Sequence, residues 1–402
     1  MKKNHHRYRV FKILLVLFFI QLHVSNKVIA GNSIEKTDYI LLLNMFPIEK
    51  QGLGYDPFLP PGQVEEQAET YGLILASESK MKNNMDEKRV KQGLEWLLMN
   101  RDLDSDKIFG WGLPSAWDAF GDGTTNPANT QYTITNALVM EGLVSVLENN
   151  KMMSMHKDII STLDSIVRFY FNKVFTEIDS NRGYFSYSPL KHDDYFVPNV
   201  SSFFMGVTIR YLKTNKSNLS KRELAFVWSR IDKAASAIIE VATIRNSFPF
   251  WKYVALNDKF KDKDNDLVHH CLILFGIEEY RDANRPVIIP WTRDESLKSV
   301  KLFIRNGIPY DFPQDITYSG EKQAYNERPS KLWGLGVLMA LSASFGDVNE
   351  ASQIKTIIKQ QYGRWPQLKE WPGYFSSNDT FYSRYAVFVL WGEALRLSAQ
   401  RP

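Results

Sequence analysis

Cysteine is nearly absent from this sequence of 402 residues, which contains only Cys271. A single cysteine excludes an intramolecular disulfide and a thiolate metal site. Because Cys271 stands in the apolar run CLILFGI, we expect a buried structural thiol. The segment DKDND, residues 262–266, resembles the start of a calcium loop but lacks the glycine and closing glutamate of an EF-hand. We therefore expect no metal and no cofactor, with a looser calcium site as the alternative.

Linker signals are also missing. The chain has no Ser/Gly-rich tract, no long block of like charges and no low-complexity stretch. Its length nevertheless exceeds that of the usual single domain. One large repetitive domain over residues 31–402 would account for both observations.

Acidic residues are lacking from the first thirty positions, which contain six Lys and Arg. The apolar run Ile13–Val24 is too short to span a bilayer comfortably, and VIA (residues 28–30) precedes Gly31 as a plausible cleavage site. These features predict a signal peptide over residues 1–30 and export to the periplasm or the extracellular space. No cysteine follows the apolar run, which excludes a lipoprotein, and an uncleaved anchor is the alternative.

The signal segment also explains the basic charge of the whole chain. Without its six cations, the 49 Lys and Arg fall to 43 against 45 Asp and Glu. A slightly acidic mature chain predicts no nucleic-acid partner. After cleavage we expect no stable membrane insertion.

Glycine recurs at a regular spacing inside apolar, helix-like segments. Six such segments carry one glycine each in a similar setting, at Gly72, Gly142, Gly206, Gly276, Gly336 and Gly392. Glycine inside a helix costs about 1 kcal/mol relative to alanine, so its repetition indicates close helix packing. A helix that is apolar on all sides is buried on all sides.

Amphipathic segments alternate with these apolar ones. They lie at residues 86–100, 157–175, 221–242, 294–306 and 349–363, and residues 33–45 provide a sixth. Buried helices inside and amphipathic helices outside predict an all-α (α/α)6 toroid. An irregular helical array is the alternative.

In such a ring the connections from outer to inner helices open on one face. The sequence of these connections is rich in polar and aromatic residues, as in GWGLPSAWDAFGDGTTNP (residues 110–127) and YFSYSPLKHDDYFVPNVSS (residues 184–202). We expect them to form a polar groove with aromatic walls. Flat aromatic rings beside charged groups suit sugars, because C–H faces stack on rings and hydroxyls accept charged hydrogen bonds.

With an export signal and aromatic, acidic loops, this pattern resembles the carbohydrate-active (α/α)-toroid proteins, including polysaccharide lyases and glucuronyl C5-epimerases. The segments GWGLPSAWDAFGDG and YSPLKHDDYFVPNVSSFFMGV are most similar to epimerase-like and polysaccharide-processing members. The resemblance implies an enzyme that acts on a uronic-acid-containing polysaccharide by abstracting the proton at C5. Glycoside hydrolases share the fold, and a hydrolase with an Asp pair remains an alternative.

Proton abstraction needs a base and a group that neutralises the sugar carboxylate. Our candidates for catalysis are His192, Tyr195, His270, Tyr382, Arg384 and Asp118. Our candidates for substrate binding are Trp111, Trp117, Asn136, Asn199, Trp251, Trp333, Trp371 and Tyr385. In the preferred assignment His192 or Tyr382 is the base, and Asn199 and Arg384 hold the sugar carboxylate.

Two further interpretations stay open. A hydrolase would use Asp118 or Asp122 with Asp193 or Asp194, whereas Asp266 and Asp379 are interpreted as helix caps. His269 and His270 are adjacent, so only one of them can face the groove. A non-catalytic protein that binds glycans or assembles an exopolysaccharide is the remaining alternative.

Overall fold

The computed structural model describes residues 36–55, 64–102, 109–260, 263–314, 327, 329–369 and 382–400. Its helices are α1 (Ala68–Lys80), α2 (Glu87–Met99), α3 (Thr133–Glu148), α4 (His156–Phe169), α5 (Pro198–Lys213), α6 (Lys221–Glu240), α7 (Leu267–Asp282), α8 (Arg293–Lys298), α9 (Leu332–Phe345), α10 (Val348–Gln361) and α11 (Ser383–Ala399). Short strands pair as antiparallel hairpins: β1 (Leu53–Tyr55) with β2 (Val64–Glu66), β3 (Phe175–Glu177) with β4 (Gly183–Phe185), β5 (Thr243–Arg245) with β6 (Phe248–Phe250), and β7 (Ile304–Arg305) with β8 (Ile308–Pro309).

The apolar helices form a closed inner ring. In the order α1, α3, α5, α7, α9 and α11, each packs against the next, and α11 packs against α1. Each inner helix carries one glycine of the repeat, and most of its residues are buried. The predicted (α/α)6 toroid and the assignment of its inner helices are confirmed.

The repeated glycines meet in pairs across alternate interfaces of the ring. A Cβ added to Gly206 would lie 2.7 Å from the Cα of Gly276, and one added to Gly392 would lie 2.6 Å from the carbonyl oxygen of Gly336. The carbonyl group of Gly72 occupies the equivalent space beside Gly142. Backbone-to-backbone contact therefore explains why glycine recurs, since any side chain would force two inner helices apart.

The amphipathic helices α2, α4, α6, α8 and α10 pack outside the ring, each against the inner helix before it. Helical residues 36–43 complete this outer layer. Asp38 bonds Lys359 of α10 at 2.6 Å, and Lys36 reaches Asn84 at 2.7 Å, so the segment lies between the last and the first outer helices. The expected closure of the ring by the N-terminal segment is confirmed over the described residues.

The fifth outer helix is shorter than expected. The periodicity predicts helix over residues 294–306, but α8 ends at Lys298, a 3-10 turn spans Ser299–Phe303, and β7 follows. Asn306 and Gly307 have φ values of 53° and 77°. Two left-handed residues make the tight turn of a two-residue hairpin, and this turn prevents the helix from continuing.

The two ends of the ring differ in their connections. Long connections, which contain all four hairpins, lead into the N-terminal ends of the inner helices, and we call this side the open end. Short connections leave their C-terminal ends, as at residues 81–86 and 214–220, and we call this side the closed end. No helix in the described part of the chain is both long and apolar enough to cross a membrane.

Candidate active site

A cleft of about 280 Å³ lies at the open end, where the first turns of the inner helices converge. All six inner helices contribute to its lining, together with loop residues that precede them. Aromatic rings form much of its wall: Trp117, Tyr187, Tyr253, Phe312, Trp333 and Phe388. The volume is near the lower end of the range for small-ligand sites.

One wall carries an ion pair between the first turns of α1 and α11. The Nε atom of Arg384 lies 2.6 Å from Oε1 of Glu69, and both side chains are largely buried. Glu69 stands at the N-terminal end of its helix, where the helix dipole also stabilises a negative charge. The pair places a carboxylate and a guanidinium side by side in the cleft.

The facing wall carries a carboxylate and an imidazole at the start of α7. Asp266 caps the helix by accepting the backbone N–H of His269 at 3.1 Å, and its Oδ1 lies 2.6 Å from Nδ1 of the same histidine. Burial opposes ionisation of Asp266, but the nearby His269 and Lys331 hold its pKa below its usual range. An ionised Asp266 fixes the His269 ring so that Nε2 is the nitrogen left to exchange a proton.

α1 and α7 stand opposite one another in the ring, because two inner helices separate them on either side. Glu69 and Asp266, each in the first turn or cap of its helix, therefore lie on opposite sides of the ring axis. The ring geometry thus brings together two carboxylates that are almost 200 positions apart in the sequence.

Further charged groups line the same cleft. Lys263 lies 4.6 Å from the ring centre of Tyr253, and Lys331 lies 5.6 Å from that of Trp333. Asp264 accepts a hydrogen bond from Lys252 at 2.7 Å. The cleft therefore holds both signs of charge against aromatic surfaces.

Asn199 lines this cleft and has one buried side-chain atom without a hydrogen-bond partner among the described residues. The residue is 2% exposed and lines the cleft, and its Oδ1 accepts no hydrogen bond in the structure. A buried acceptor without a donor costs free energy, and this Oδ1 is itself shielded from solvent.

Four of the residues chosen from the sequence as catalytic or binding candidates line this cleft: Trp117, Asn199, Trp333 and Arg384. Tyr385 is buried behind them, with its ring 4.8 Å from that of Trp333. Tyr382 is the N-cap residue of α11 and is 7% exposed, but it does not contribute to the lining. Trp371 lies outside the described residues.

Two of the predicted binding tryptophans are structural. The Trp111 indole donates to the Leu97 carbonyl at 3.1 Å, and the Trp251 indole donates to the Ile238 carbonyl at 2.8 Å. Leu97 and Ile238 belong to the last turns of α2 and α6, so each tryptophan satisfies a carbonyl at the end of an outer helix. Both rings are buried, which removes them from the cleft.

Asn136 is also structural rather than substrate-facing. Its Nδ2 lies within hydrogen-bond distance of the Trp111 carbonyl, the Tyr132 carbonyl and the Tyr170 hydroxyl, and its Oδ1 accepts the Trp111 N–H at 3.1 Å. With its side-chain groups satisfied inside the protein, Asn136 fixes the loop to α3.

Of the two adjacent histidines, the structure brings His269 and not His270 into the cleft. His270 is fully buried, contacts Ser299 at 2.7 Å and is surrounded by Phe250, Trp251 and Phe303. Burial lowers the pKa of His270 to about 3. The choice of His270 as a catalytic residue is therefore corrected, because its ring packs toward the outer layer.

Asp118, His192 and Tyr195 all lie at the open end, yet outside the cleft lining. Asp118 accepts backbone N–H groups of residues 120–123, and Gly121 and Gly123 adopt the positive φ that this turn requires. The Gly123 N–H and its neighbours hold the pKa of Asp118 below its usual range. The GDG stretch, residues 121–123, is thus a tight turn held by the Asp118 carboxylate.

His192 and Tyr195, the other two of these residues, tie the loop that contains Asp118 to its neighbours. Nε2 of His192 lies 2.5 Å from Oδ1 of Asn126, and the Tyr195 hydroxyl donates to Asp122 at 3.3 Å. Asp193, the predicted partner of Asp118, is 1% exposed and accepts from Asn126 and Ser188. These residues build the rim that positions Trp117.

Sequence reasoning missed Glu69, interpreted Asp266 only as a cap, and did not select His269, Lys263 or Lys331. The signal for Glu69 was available, because it stands in the first turn of an inner helix, the position that defines the open end. Within the described ranges, no three His, Cys, Asp or Glu side chains group in a way that could hold a metal ion.

No family model matches this chain, and no curated protein is significantly similar to it in sequence. Several solved structures are nevertheless similar to this chain in fold. A novel alpha-amylase from Clostridium perfringens has a TM-score of 0.57 and 12% identity, covering 89% of this chain and 97% of its own. An unsaturated glucuronyl hydrolase specific for heparin has a TM-score of 0.56 and 11% identity, covering 92% and 96%.

A wild-type glycosidase is similar to the same degree, with a TM-score of 0.55 and 12% identity over 92% of this chain and 95% of its own. The class that the fold defines is therefore the (α/α)6 toroid. At these identities the likeness extends to the fold, and the chemistry has to be argued from the cleft.

Proposed function

We propose that this protein is an exported glycoside hydrolase that binds an acidic saccharide in the open-end cleft. The observation that carries the proposal is the pair of carboxylates, Glu69 and Asp266, on opposite walls of an aromatic-lined cleft. Glycoside hydrolysis uses two carboxyl groups that flank the scissile bond. The fold shared with known glycosidases supports the same conclusion.

In this proposal Asp266 is the carboxylate that stays negatively charged beside the sugar. Because its pKa is held below the usual range, Asp266 stays ionised and cannot donate a proton. Together with His269, it directs the attacking water or stabilises the positive charge that develops on the sugar ring. The proton for the leaving oxygen then comes from Glu69 on the opposite wall.

The Glu69–Arg384 contact links this chemistry to an acidic substrate. Arg384 favours the ionised form of Glu69, which is the wrong form for a proton donor. A uronate carboxylate that binds Arg384 competes for the guanidinium and weakens its hold on Glu69. An acidic sugar bound at Arg384 would thereby favour the protonated form of Glu69, which a proton donor requires.

Aromatic and amide groups would hold the sugar. Trp117 and Trp333 are half-buried and expose ring surface to the cleft, as sugar C–H faces require. Asn199 also lines the cleft, and its side-chain amide would hydrogen-bond a sugar hydroxyl. Lys263 and Lys331 add positive charge for further carboxylates along the glycan.

A second candidate function is favoured by the Asp266–His269 contact. An imidazole oriented by a carboxylate is a general base, and Arg384 and Lys331 could neutralise a uronate carboxylate next to it. This arrangement would abstract the C5 proton of a uronic acid, as a lyase or a C5-epimerase does. His269 would then replace His192 or Tyr382 as the base.

Incubation of the purified protein with uronic-acid-containing and neutral polysaccharides separates the two functions. Hydrolysis releases new reducing ends without ultraviolet absorbance from an unsaturated uronate, whereas elimination produces both. Epimerisation produces neither but incorporates deuterium from heavy water at C5. Binding without any of these signals would support the non-catalytic alternative and contradict both enzymes.

Glu69→Gln tests the proposed proton donor. We expect turnover to fall by about 10²–10⁴, the usual contribution of a general acid or base, with saccharide binding retained. Glu95→Gln, on the exposed face of α2, is the matched control and should leave turnover unchanged. Full activity of the Glu69 variant would exclude the proposed pair.

A further inference from the structure

A second cavity of about 300 Å³ opens at the closed end of the ring, opposite the cleft. Every inner helix contributes to its lining through its C-terminal half, from Lys80 of α1 to Ala399 of α11. Gly206 and Gly276 also line it, at the point where α5 and α7 pack backbone against backbone. The proposed hydrolase uses no residue of this cavity.

Aromatic rings form the walls of this closed-end cavity. Phe203, Phe275, Phe345 and Trp391 all line it, and the rings of Phe275 and Trp391 stack at 5.2 Å. Phe345 meets Phe275 edge to face at 5.5 Å. Four rings around one space provide flat surfaces for an apolar ring and negative faces for a cation.

Two cations, Lys80 and Arg210, and two carboxylates, Glu141 and Glu279, line the closed-end cavity, and Lys80 pairs with Glu148 at 3.1 Å. Arg210 is committed to Glu141 and Glu148, which it bonds directly. Glu279 pairs with Lys213 at 3.6 Å, and that lysine side chain is 44% exposed. Burial raises the pKa of Glu279 although Arg210 and Lys213 act in the opposite direction. Of the two lining carboxylates, Glu279 has the longer ion pair, because Glu141 bonds Arg210 directly.

Helix ends add negative potential at the cavity mouth. The cavity mouth includes residues 343 and 344 in the last turn of α9 and residues 398 and 399 in the last turn of α11. The last carbonyls of a helix lack intrahelical partners and carry partial negative charge. They therefore attract the same sign of ligand as Glu279.

We propose that the closed-end cavity binds a small organic cation: a flat apolar ring with an ammonium group. The ring packs among Phe203, Phe275 and Trp391, and the ammonium group reaches Glu279 and the helix-end carbonyls. Such a ligand would occupy the molecule independently of any saccharide at the open end.

Calorimetry with three ring-matched probes tests this proposal on the mature chain. Tryptamine carries the ammonium group, indole-3-ethanol is its neutral counterpart, and indole-3-acetate is its anionic counterpart. We expect tryptamine to bind about tenfold more tightly than the neutral probe, as cation–π contact and Glu279 require, and the anion to bind least. Equal affinities, a preference for the anion or no binding of tryptamine would overturn the proposal.

Three variants locate the binding. Glu279→Gln should remove the preference for tryptamine, and Ala399→Trp, at the exposed mouth, should block the cavity. Trp117→Ala, in the open-end cleft, should leave tryptamine affinity unchanged. If instead the Trp117 variant loses binding and the other two keep it, the amine binds at the open end and the proposal is wrong.

Discussion

The two ends of the ring are built from the same six helices but offer opposite surroundings. At the open end, helix N-termini and long connections bring Glu69, Asp266, His269 and Arg384 into one cleft. At the closed end, helix C-termini and short connections leave an aromatic cavity in which Glu279 pairs with the partly exposed Lys213. The helices fix where side chains can meet, and the connections decide which chemistry is placed there.

The same contrast appears within two adjacent residues of α7. His269 points into the cleft and contacts Asp266, whereas His270 is buried against Ser299 and aromatic rings. Neighbours on a helix point about 100° apart, so one serves the site and the other the core. Variants of His269 should therefore change activity, whereas variants of His270 should change stability.

The largest expected effect is a loss of turnover, and it should distinguish variants at the open end from variants at the closed end. Asp266→Asn should lower turnover on the acidic saccharide by about 10²–10⁴, because the charge beside the sugar is lost. Glu279→Gln at the closed end should leave turnover unchanged. Initial rates measured under identical conditions check both, and equal losses in the two variants would contradict the assignment of chemistry to the open end.

A smaller effect should distinguish inner from outer helices. Gly142→Ala drives a methyl group into the Gly72 backbone and should lower the free energy of unfolding by about 1–3 kcal/mol, the usual cost of overpacking. In the control Gly93→Ala, in α2, the added methyl group meets only side-chain atoms, of Leu75 at 3.3 Å and of Gln51 at 3.5 Å. Urea denaturation should show no loss for this control, and a similar loss in both variants would argue against backbone packing as the cause.

The burial of His270 should make the stability of the protein fall in acid. Because the pKa of His270 is about 3 in the folded chain, the unfolded chain, with its usual pKa near 6.5, takes up a proton first as pH falls. Stability from this group is complete above pH 6.5 and is lost progressively below it. His270→Gln should flatten the fall of the urea midpoint in this acid range, and an unchanged slope would contradict its burial as a neutral ring.

The smallest effect is expected at the rim. His192→Ala removes the contact with Asn126, which holds the loop but lies outside the cleft lining. We expect KM to rise modestly because Trp117 is less well positioned, while kcat stays near the wild-type value. A loss of kcat as large as that expected for Asp266→Asn would place His192 in the chemistry after all.

The glycine repeat predicted the inner helices correctly because a physical demand, backbone contact, selects one residue type at one place. No comparable physical requirement distinguishes a functional histidine or tryptophan from a structural one in the sequence. His269 and His270 are equivalent in composition, and the phase of α7, set by its packing, decides between them. Trp111 and Trp251 resembled sugar platforms, yet each follows an outer helix and satisfies its last turn.

Glu69 escaped sequence reasoning for a different reason. Its partner, Arg384, lies at the other end of the chain, and their contact exists only because α11 closes the ring against α1. Likewise, the opposition of Glu69 and Asp266 follows from ring order rather than from any local motif. Residues that meet through closure can be predicted only after the fold has been placed in three dimensions.

The central claim, that a saccharide is processed in the open-end cleft, is tested most directly by a crystal structure. The Glu69→Gln variant should be soaked with the acidic oligosaccharide that the wild-type protein cleaves most rapidly. We predict a sugar carboxylate on Arg384, a ring stacked on Trp117 or Trp333, and the scissile bond between positions 69 and 266. A sugar bound at the closed end or on the outer helices, with the cleft empty, would contradict the account.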